Sequence, residues 1–269
     1  MAGSGPIALS IAGSDSGGGA GLQADLKTFS ALGVYGASVV TALTAQNTCA
    51  VTAVHEVPAA MVAAQMAAVL EDLDVRAIKI GMLFSAPIIE AVARALADYP
   101  HPVVLDPVMV AKSGDVLLQE AAIDAMRGLL FAQADLLTPN LPEAARLLGC
   151  GEARDLVEAE DQGRALLALG PKAVLIKGGH AAGEICTDLL IRPGLAPLEL
   201  SAPRIATKNT HGTGCTYGAA TAAFLARGLT LEAAVGAAHE YLQGAIHAAD
   251  QLQIGAGHGP VHHFYRVWG

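Results

Sequence analysis

Short apolar runs that stop at glycine, aspartate or asparagine recur along this chain of 269 residues. Ile7 to Ala12 runs into Gly13-Ser14-Asp15, and Val75 to Ile80 into Gly81-Met82. Pro102 to Asp106 ends on a carboxylate, Asp135 to Thr138 leads to Pro139-Asn140, and Ala173 to Lys177 leads to Gly178-Gly179. Runs this short and this apolar fit strands covered on both faces. Between them the apolar spacing turns helical. Leu22, Leu26, Phe29 and Leu32 precede Gly33, and Met61, Val62, Met66, Val69 and Leu70 follow Pro58. Further helices are expected over residues 86–98, 123–131, 142–148 and 158–169, and two Ala-rich helices over 216–227 and 230–250. Ser38 to Thr44 is a β-rich run that closes at Gln46-Asn47, and 187–191 with 198–205 read as a hairpin-like excursion. Alternation of this kind predicts an α/β fold with a mostly parallel, doubly wound sheet. No Pro- or Ser-rich linker interrupts it, so residues 1–269 are expected to form one domain.

Open parallel sheets bind ligands beyond the carboxyl ends of their strands. The polar residues and glycines of this chain gather there. The most telling stretch lies further on, at Lys208-Asn209-Thr210-His211-Gly212-Thr213-Gly214-Cys215-Thr216, directly before an Ala-rich helix. The first N–H groups of a helix are unpaired and the helix dipole adds positive potential, so this is a ready anion site. A helix-start position can depress a thiol pKa, which leaves Cys215 open as base, anion-site liner or inert small residue. His211 either contacts phosphate or serves loop structure. The loop from Gly13 to Gly21 holds five glycines. It lacks the Lys-Ser/Thr ending of a Walker loop and is no clean dinucleotide fingerprint, so nucleotide binding and a tight strand-to-helix turn both stand. Asn140-x-x-Glu143 could hold Mg²⁺ through its waters or act as a helix cap. Asp106 could serve a metal or cap a turn, Asp25 could accept from a polar ligand group, and Lys177 could meet a phosphate. His262 and His263 are adjacent and point opposite ways on extended chain, which argues against a metal pair.

Composition limits the partners. The net charge of −9 disfavours nucleic acid and anionic membrane, so an anionic substrate needs a local basic or N–H-rich site. No apolar run is long enough to span a membrane, and the amino end shows no basic segment followed by an apolar one. Four cysteines stand far apart with no CxxC, which suits reduced thiols in a cytoplasmic protein. Cys49, Cys150 and Cys186 read as packing residues.

With these residues in view the chain resembles the hydroxymethylpyrimidine/phosphomethylpyrimidine kinases of thiamin biosynthesis, members of the ribokinase-like superfamily. The likeness runs from Ile7-Ala8-Leu9-Ser10-Ile11-Ala12-Gly13-Ser14-Asp15 to Gly259-Pro260-Val261-His262-His263-Phe264. Between them stand the blocks from Gly19 to Thr28, Ala45 to Thr48, Lys79 to Met82, Leu105 to Met109, Thr138 to Ala144 and Lys208 to Cys215. The resemblance implies a three-layer αβα kinase that uses ATP and Mg²⁺ on an aminopyrimidine alcohol and on its monophosphate, with relatives that are often dimers. It implies that Gln46 bonds the ring and Asp25 the hydroxymethyl side or an amine edge, with Gly13, Met82 and Val108 lining the pocket. Asn140, Glu143 and Asp106 would serve metal and phosphates. Lys177, Thr207, Lys208 and Thr213 would meet the nucleotide, and Gly212, Gly214 and Cys215 would form the anion hole. The sugar kinases of this fold carry Asp where Cys215 stands, whereas the pyrimidine and pyridoxal branches share the Cys. Lys112 and His211 are candidates to meet the phosphate of the second substrate. The rival readings are a pyridoxal kinase and a ligand-binding protein that kept the fold and lost catalysis.

Overall fold

The computed structural model describes residues 5–109, 120–180 and 183–268. Among these residues nine strands form one sheet in the order β3-β2-β1-β4-β5-β6-β7-β8-β9. The strands β1 (Ile7–Asp15), β2 (Tyr35–Gln46), β4 (Val75–Ile80), β5 (Val103–Leu105), β6 (Leu136–Leu137) and β7 (Val174–Ile176) run parallel. The outer strands β3 (Val51–Glu56), β8 (Ile185–Ile191) and β9 (Leu198–Pro203) are antiparallel to their neighbours. The expected hairpin is thus β8–β9. β3 was not foreseen: it is an edge strand in which none of the six residues is buried, so it carries no apolar run to read.

Neighbouring residues on the central strands face opposite layers, as the pleat requires. Leu9, Ile78 and Leu137 pack under α2 (Ala59–Asp72), α3 (Ala86–Ala95), α4 (Glu120–Leu129), α5 (Leu141–Leu148) and α6 (Leu156–Leu167). Ala8, Ala77 and Leu136 pack under α1 (Gly21–Ala31), α7 (Thr213–Ala226) and α8 (Leu231–His247). Every residue of α7 from Thr216 to Ala226 is buried. Its Ala-rich surface lets it lie close against the sheet, which brings its amino end to the carboxyl ends of β4 and β5. Among the described residues no helix is long and apolar enough to cross a membrane. Cys49 and Cys150 are exposed, which corrects the expectation that they pack in the interior. Cys150 follows the left-handed Gly149 that ends α5 and is carried outward with it.

Candidate active site

A cleft of ≈ 1030 Å³ opens along the carboxyl ends of the parallel strands. It gathers residues from both ends of the chain: Gly13, Gln46, Met82 and Val108 on one side, Asn140, Glu143, Lys177, Thr207 and Lys208 on the other, and Asp106 with residues 210–215 between them. All the sequence-derived site residues therefore line it except Asp25, and Lys112 lies outside the described residues.

The phosphate-sized end is built from two interlocked loops. Asp15, at the end of β1, accepts N–H bonds from Gly17 (2.8 Å), Gly19 (3.0 Å) and Ala20 (2.8 Å) and holds the glycine-rich loop in one shape. Its Oδ2 also sits 2.9 Å from His211 Nε2. Burial pushes the Asp15 carboxyl up, but the His211 bond, the loop N–H groups and the His211 charge outweigh it and hold the group below its ordinary value. His211, weighed above as a phosphate contact, is thus a loop tie that also lines the cleft. Gly212 caps α7 with a left-handed backbone (φ +81°), and a Cβ there would lie 1.9 Å from the Gly19 carbonyl oxygen. The two loops touch where no side chain fits. No side chain caps α7, and although Thr213 N–H reaches the Thr210 carbonyl at 3.3 Å, the N–H groups that follow it in the first turn are open to an anion.

Cys215 stands in the first turn of α7, half-buried. The expectation of a depressed thiol pKa is reversed. Burial pushes the thiol up to about 11; Lys79 opposes this, and the Asp25 and Asp106 carboxylates reinforce it. A thiol held that high is protonated at neutral pH and lines the cleft beside the start of α7.

Asp25, expected at the substrate's polar edge, is instead wholly buried beneath the cleft. Its carboxylate accepts from Lys79 Nζ at 2.9 and 3.0 Å and from Ser10 Oγ at 2.5 Å. Only Lys79 of this trio reaches the cleft lining. Lys79 is one of two basic residues in Val75 to Ile80, and unlike the exposed Arg76 it is buried and needs a counter-charge. Nothing local in the sequence says which carboxylate supplies it.

At the other end of the cleft Lys177 Nζ lies 2.7 Å from Asp106 Oδ1 and 3.8 Å from Glu143 Oε2. Thr138 Oγ1 also donates to Asp106 at 3.2 Å. Burial alone would lower the Lys177 pKa; Asp106 and Glu143 raise it on balance. Glu143 is pushed up to about 7 by burial, against Lys177 and with Asp106. Asn140 and Glu143 form a full capping box: Asn140 Oδ1 accepts from Glu143 N–H, and Glu143 Oε2 from Asn140 N–H, each at 2.8 Å. The cap is real, and it fixes the Glu143 carboxylate beside Lys177. Two hard carboxylate oxygen groups on one wall fit a Mg²⁺ that arrives with its own waters and phosphates, as Mg²⁺ usually binds. The raised Glu143 pKa fits too, since a cation would relieve the repulsion from Asp106. Among the described residues no cluster of three or more acidic, His or Cys side chains offers a self-sufficient cage.

The hydroxyls of Thr207 and Thr213 are already used, on Asp250 Oδ1 (2.5 Å) and the Thr210 carbonyl (2.7 Å). They shape the loop from 207 to 213 more than they offer donors. Gln46 is tied at its backbone to Ser16, whose Oγ both donates to the Gln46 carbonyl and accepts from its N–H at 2.8 Å. That leaves the amide side chain facing the cleft, its Oε1 accepting from Thr44 at 3.1 Å. Gly13 stays small because a Cβ would strike Met82 Cε at 2.5 Å. Two pairings were not legible in the sequence, where Asp15 stands among the polar strand ends and His263 beside His262. His263 Nε2 lies 3.1 Å from Thr216 Oγ1, inside the first turns of α7.

A family model described as phosphomethylpyrimidine kinase matches residues 15–262. A hydroxymethylpyrimidine/phosphomethylpyrimidine kinase of Rhizobium meliloti is 57% identical over 262 residues, 97% of this chain and 98% of that protein. The enzyme of the same description from Salmonella typhimurium is 52% identical over 263 residues, again 97% and 98%. Among solved structures, an ADP complex of Bacillus subtilis pyridoxal kinase superposes with a TM-score of 0.90 at 36% identity, covering 98% of this chain and 100% of that one. The phosphomethylpyrimidine kinase of Clostridium difficile gives 0.78 at 41% identity, covering 89% and 99%. Agreement over nearly the whole length, and not at isolated motifs, leaves one conclusion: the chain belongs to the phosphomethylpyrimidine kinase family, on the ribokinase-like fold.

Proposed function

We propose that this kinase phosphorylates 4-amino-5-hydroxymethyl-2-methylpyrimidine and then its monophosphate, with ATP and Mg²⁺, as one ribokinase-like unit over residues 1–269. The observation that carries the reading is the placement of Gln46 and the Gly212–Cys215 anion site on one cleft, with Lys177 at its far end. Gln46 bonds the aminopyrimidine ring. Gly13, Met82 and Val108 pack on it. Lys177, Asn140 and the 207–213 loop hold the nucleotide, and Asp106 with Glu143 would hold Mg²⁺. When bound, the cation supplies charge neutralisation on the phosphates.

The chemistry is an in-line transfer. The hydroxymethyl oxygen forms a bond to the γ-phosphorus as the bond from that phosphorus to the β–γ bridging oxygen breaks, and ADP leaves with that electron pair. N–H groups from Gly212 to Cys215 stabilise the moving phosphoryl oxygens. The hydroxyl proton leaves late, since such transfers depend on positioning and charge stabilisation more than on a strong base. A resting thiol at Cys215 agrees with that order. In the second turn a phosphate oxygen of the monophosphate replaces the hydroxyl as acceptor.

The pyridoxal branch is the second reading, because an ADP complex and a pyridoxal complex of pyridoxal kinases superpose on this fold at a TM-score of 0.90. ADP release measured side by side with the pyrimidine alcohol, its monophosphate and pyridoxine separates the readings. Faster turnover of both pyrimidines supports the proposal, and faster turnover of pyridoxine replaces it. The protein is proposed to act in the cytoplasm as a homodimer, which sedimentation of the purified protein tests.

A further inference from the structure

The floor of the cleft holds a charge pair that the mechanism above leaves without a role. Lys79 in β4 and Asp25 in α1 have no exposed side-chain surface and lie 2.9 Å apart. Such a pair is a poor stability device, because dehydrating both charges costs about as much as their attraction returns. Its position is more informative. Gly218 is three residues after Cys215 on α7, on the same helix face. A Cβ on Gly218 would lie 3.5 Å from Lys79 Cε and 3.8 Å from Asp106 Cβ. A Cβ on Gly81 would lie 2.8 Å from Lys79 Nζ and 3.1 Å from Ala12 Cβ. Glycine at 81 keeps space for the lysine, since a Cβ there would crowd it, whereas at 218 a Cβ would make ordinary contact and only marks how closely α7 passes over the lysine. Lys177 approaches the same Asp106 from the nucleotide side, at 2.7 Å. The reacting centre is therefore flanked by two ammonium groups, one on the ATP side and one on the acceptor side. The charged or titratable groups that face Lys79 are Asp25, Asp106 and Cys215.

We infer that Lys79 is a positioning residue for phosphoryl transfer: its ammonium, fixed by Asp25 beneath α7, offsets the negative charge that gathers at Cys215 and the acceptor oxygen as the γ-phosphoryl group moves. In a site with little water a fixed charge of this kind acts strongly and needs no reorganisation during the reaction. Asp25 has a supporting part, since it holds the ammonium in place, and Ser10 orients the Asp25 carboxylate. The inference rests on the kinase reading above.

The test compares Lys79→Met/Asp25→Asn, a neutral pair of similar shape, with Asp25→Asn alone, which keeps the ammonium. Thermal melting establishes that each is folded, and kcat and KM are measured for ATP and for the pyrimidine alcohol. The double variant is expected to lose roughly 10- to 100-fold in kcat with both KM values within about twofold of the native enzyme. Asp25→Asn alone, which loosens the ammonium without removing it, is expected to lose roughly 3- to 10-fold in kcat with both KM values again within about twofold. A double variant with near-native kcat overturns the inference, as does a single variant that loses as much as the double one. If the double variant does not fold, Asp25→Asn decides: that intermediate loss with unchanged KM supports a role for the ammonium, and native kcat, or a collapse of kcat and KM together, makes the pair purely structural. Native enzyme that turns over neither pyrimidine instead refutes the kinase reading, a separate result.

Discussion

Replacing Gly212 by alanine tests the interlock on which the anion site depends. The backbone there is left-handed (φ +81°), and the new Cβ would lie 1.9 Å from the Gly19 carbonyl oxygen. The left-handed conformation costs alanine about 1–2 kcal/mol. Forcing the Gly19 carbonyl away adds about 1–3 kcal/mol, the usual range for overpacking. Gly19 cannot yield freely, because its N–H is held by Asp15 at 3.0 Å. Gly33 provides the control: it is left-handed too (φ +72°), and a Cβ there meets nothing within 4 Å. Gly33→Ala should therefore show the conformational cost alone, about 1–2 kcal/mol. In urea unfolding the difference between the variants isolates the loop contact, at about 1–3 kcal/mol. In an ADP-release assay Gly33→Ala should keep native kcat. Gly212→Ala should lose roughly 100-fold, the effect of misplacing an oxyanion donor. Equal stabilities for the two variants, with native turnover in both, would refute the idea that the two loops must touch to form the site.

Gln46→Ala should weaken pyrimidine binding roughly 5- to 30-fold while ATP binding changes little, read by calorimetry; equal loss of both would displace Gln46 from the ring. Cys215→Ala should lower kcat with pyrimidine affinity largely kept, and unchanged turnover would remove any part for the thiol in the transfer. The pH dependence of stability should carry the mark of His263. Burial, reinforced by Lys27 and His262, holds this ring down to about 3, below its ordinary value of 6.5. Its folded pKa is depressed, so below pH 6.5 the unfolded chain takes up a proton that the folded protein refuses. Stability should be full above that pH and fall by up to about 1.4 kcal/mol per unit as the solution is acidified toward pH 3. His263→Gln, which can still bond Thr216, should flatten this slope in urea titrations from pH ~4 to ~7; an unchanged slope assigns the acid sensitivity elsewhere.

Much of the site was legible before any coordinates, for a reason rooted in chain connectivity. In a parallel sheet every strand delivers its last residues to the same edge, so apolar runs that stop at glycine, Asp or Asn already name a common crevice. Asp106, Asn140 and Lys177 stand at such strand ends, Glu143 is legible from its spacing to Asn140 and the Gly212–Cys215 turn as a helix start, and all of them line one cleft. The capping box at Asn140 was readable because it is local, three residues from donor to acceptor. The edge strand β3 was not, since its exposed residues carry no burial pattern.

What the sequence by itself determined is the alternation of strand and helix, the glycine turns and the order in which polar groups reach the strand ends. All of these follow from local propensity and period. Tertiary structure alone decided who pairs with whom. Asp15 meets His211 across 196 residues, Lys177 meets Asp106 across 71, and Asp25 meets Lys79 across 54. Those pairings set the electrostatics: they took Asp25 out of the cleft lining and His211 into a loop tie. Burial together with the Asp25 and Asp106 charges turned the expected low pKa of Cys215 into a raised one. A pKa depends on every charge and every excluded water around a group, and neighbours in space, unlike neighbours in sequence, exist only once the chain has folded.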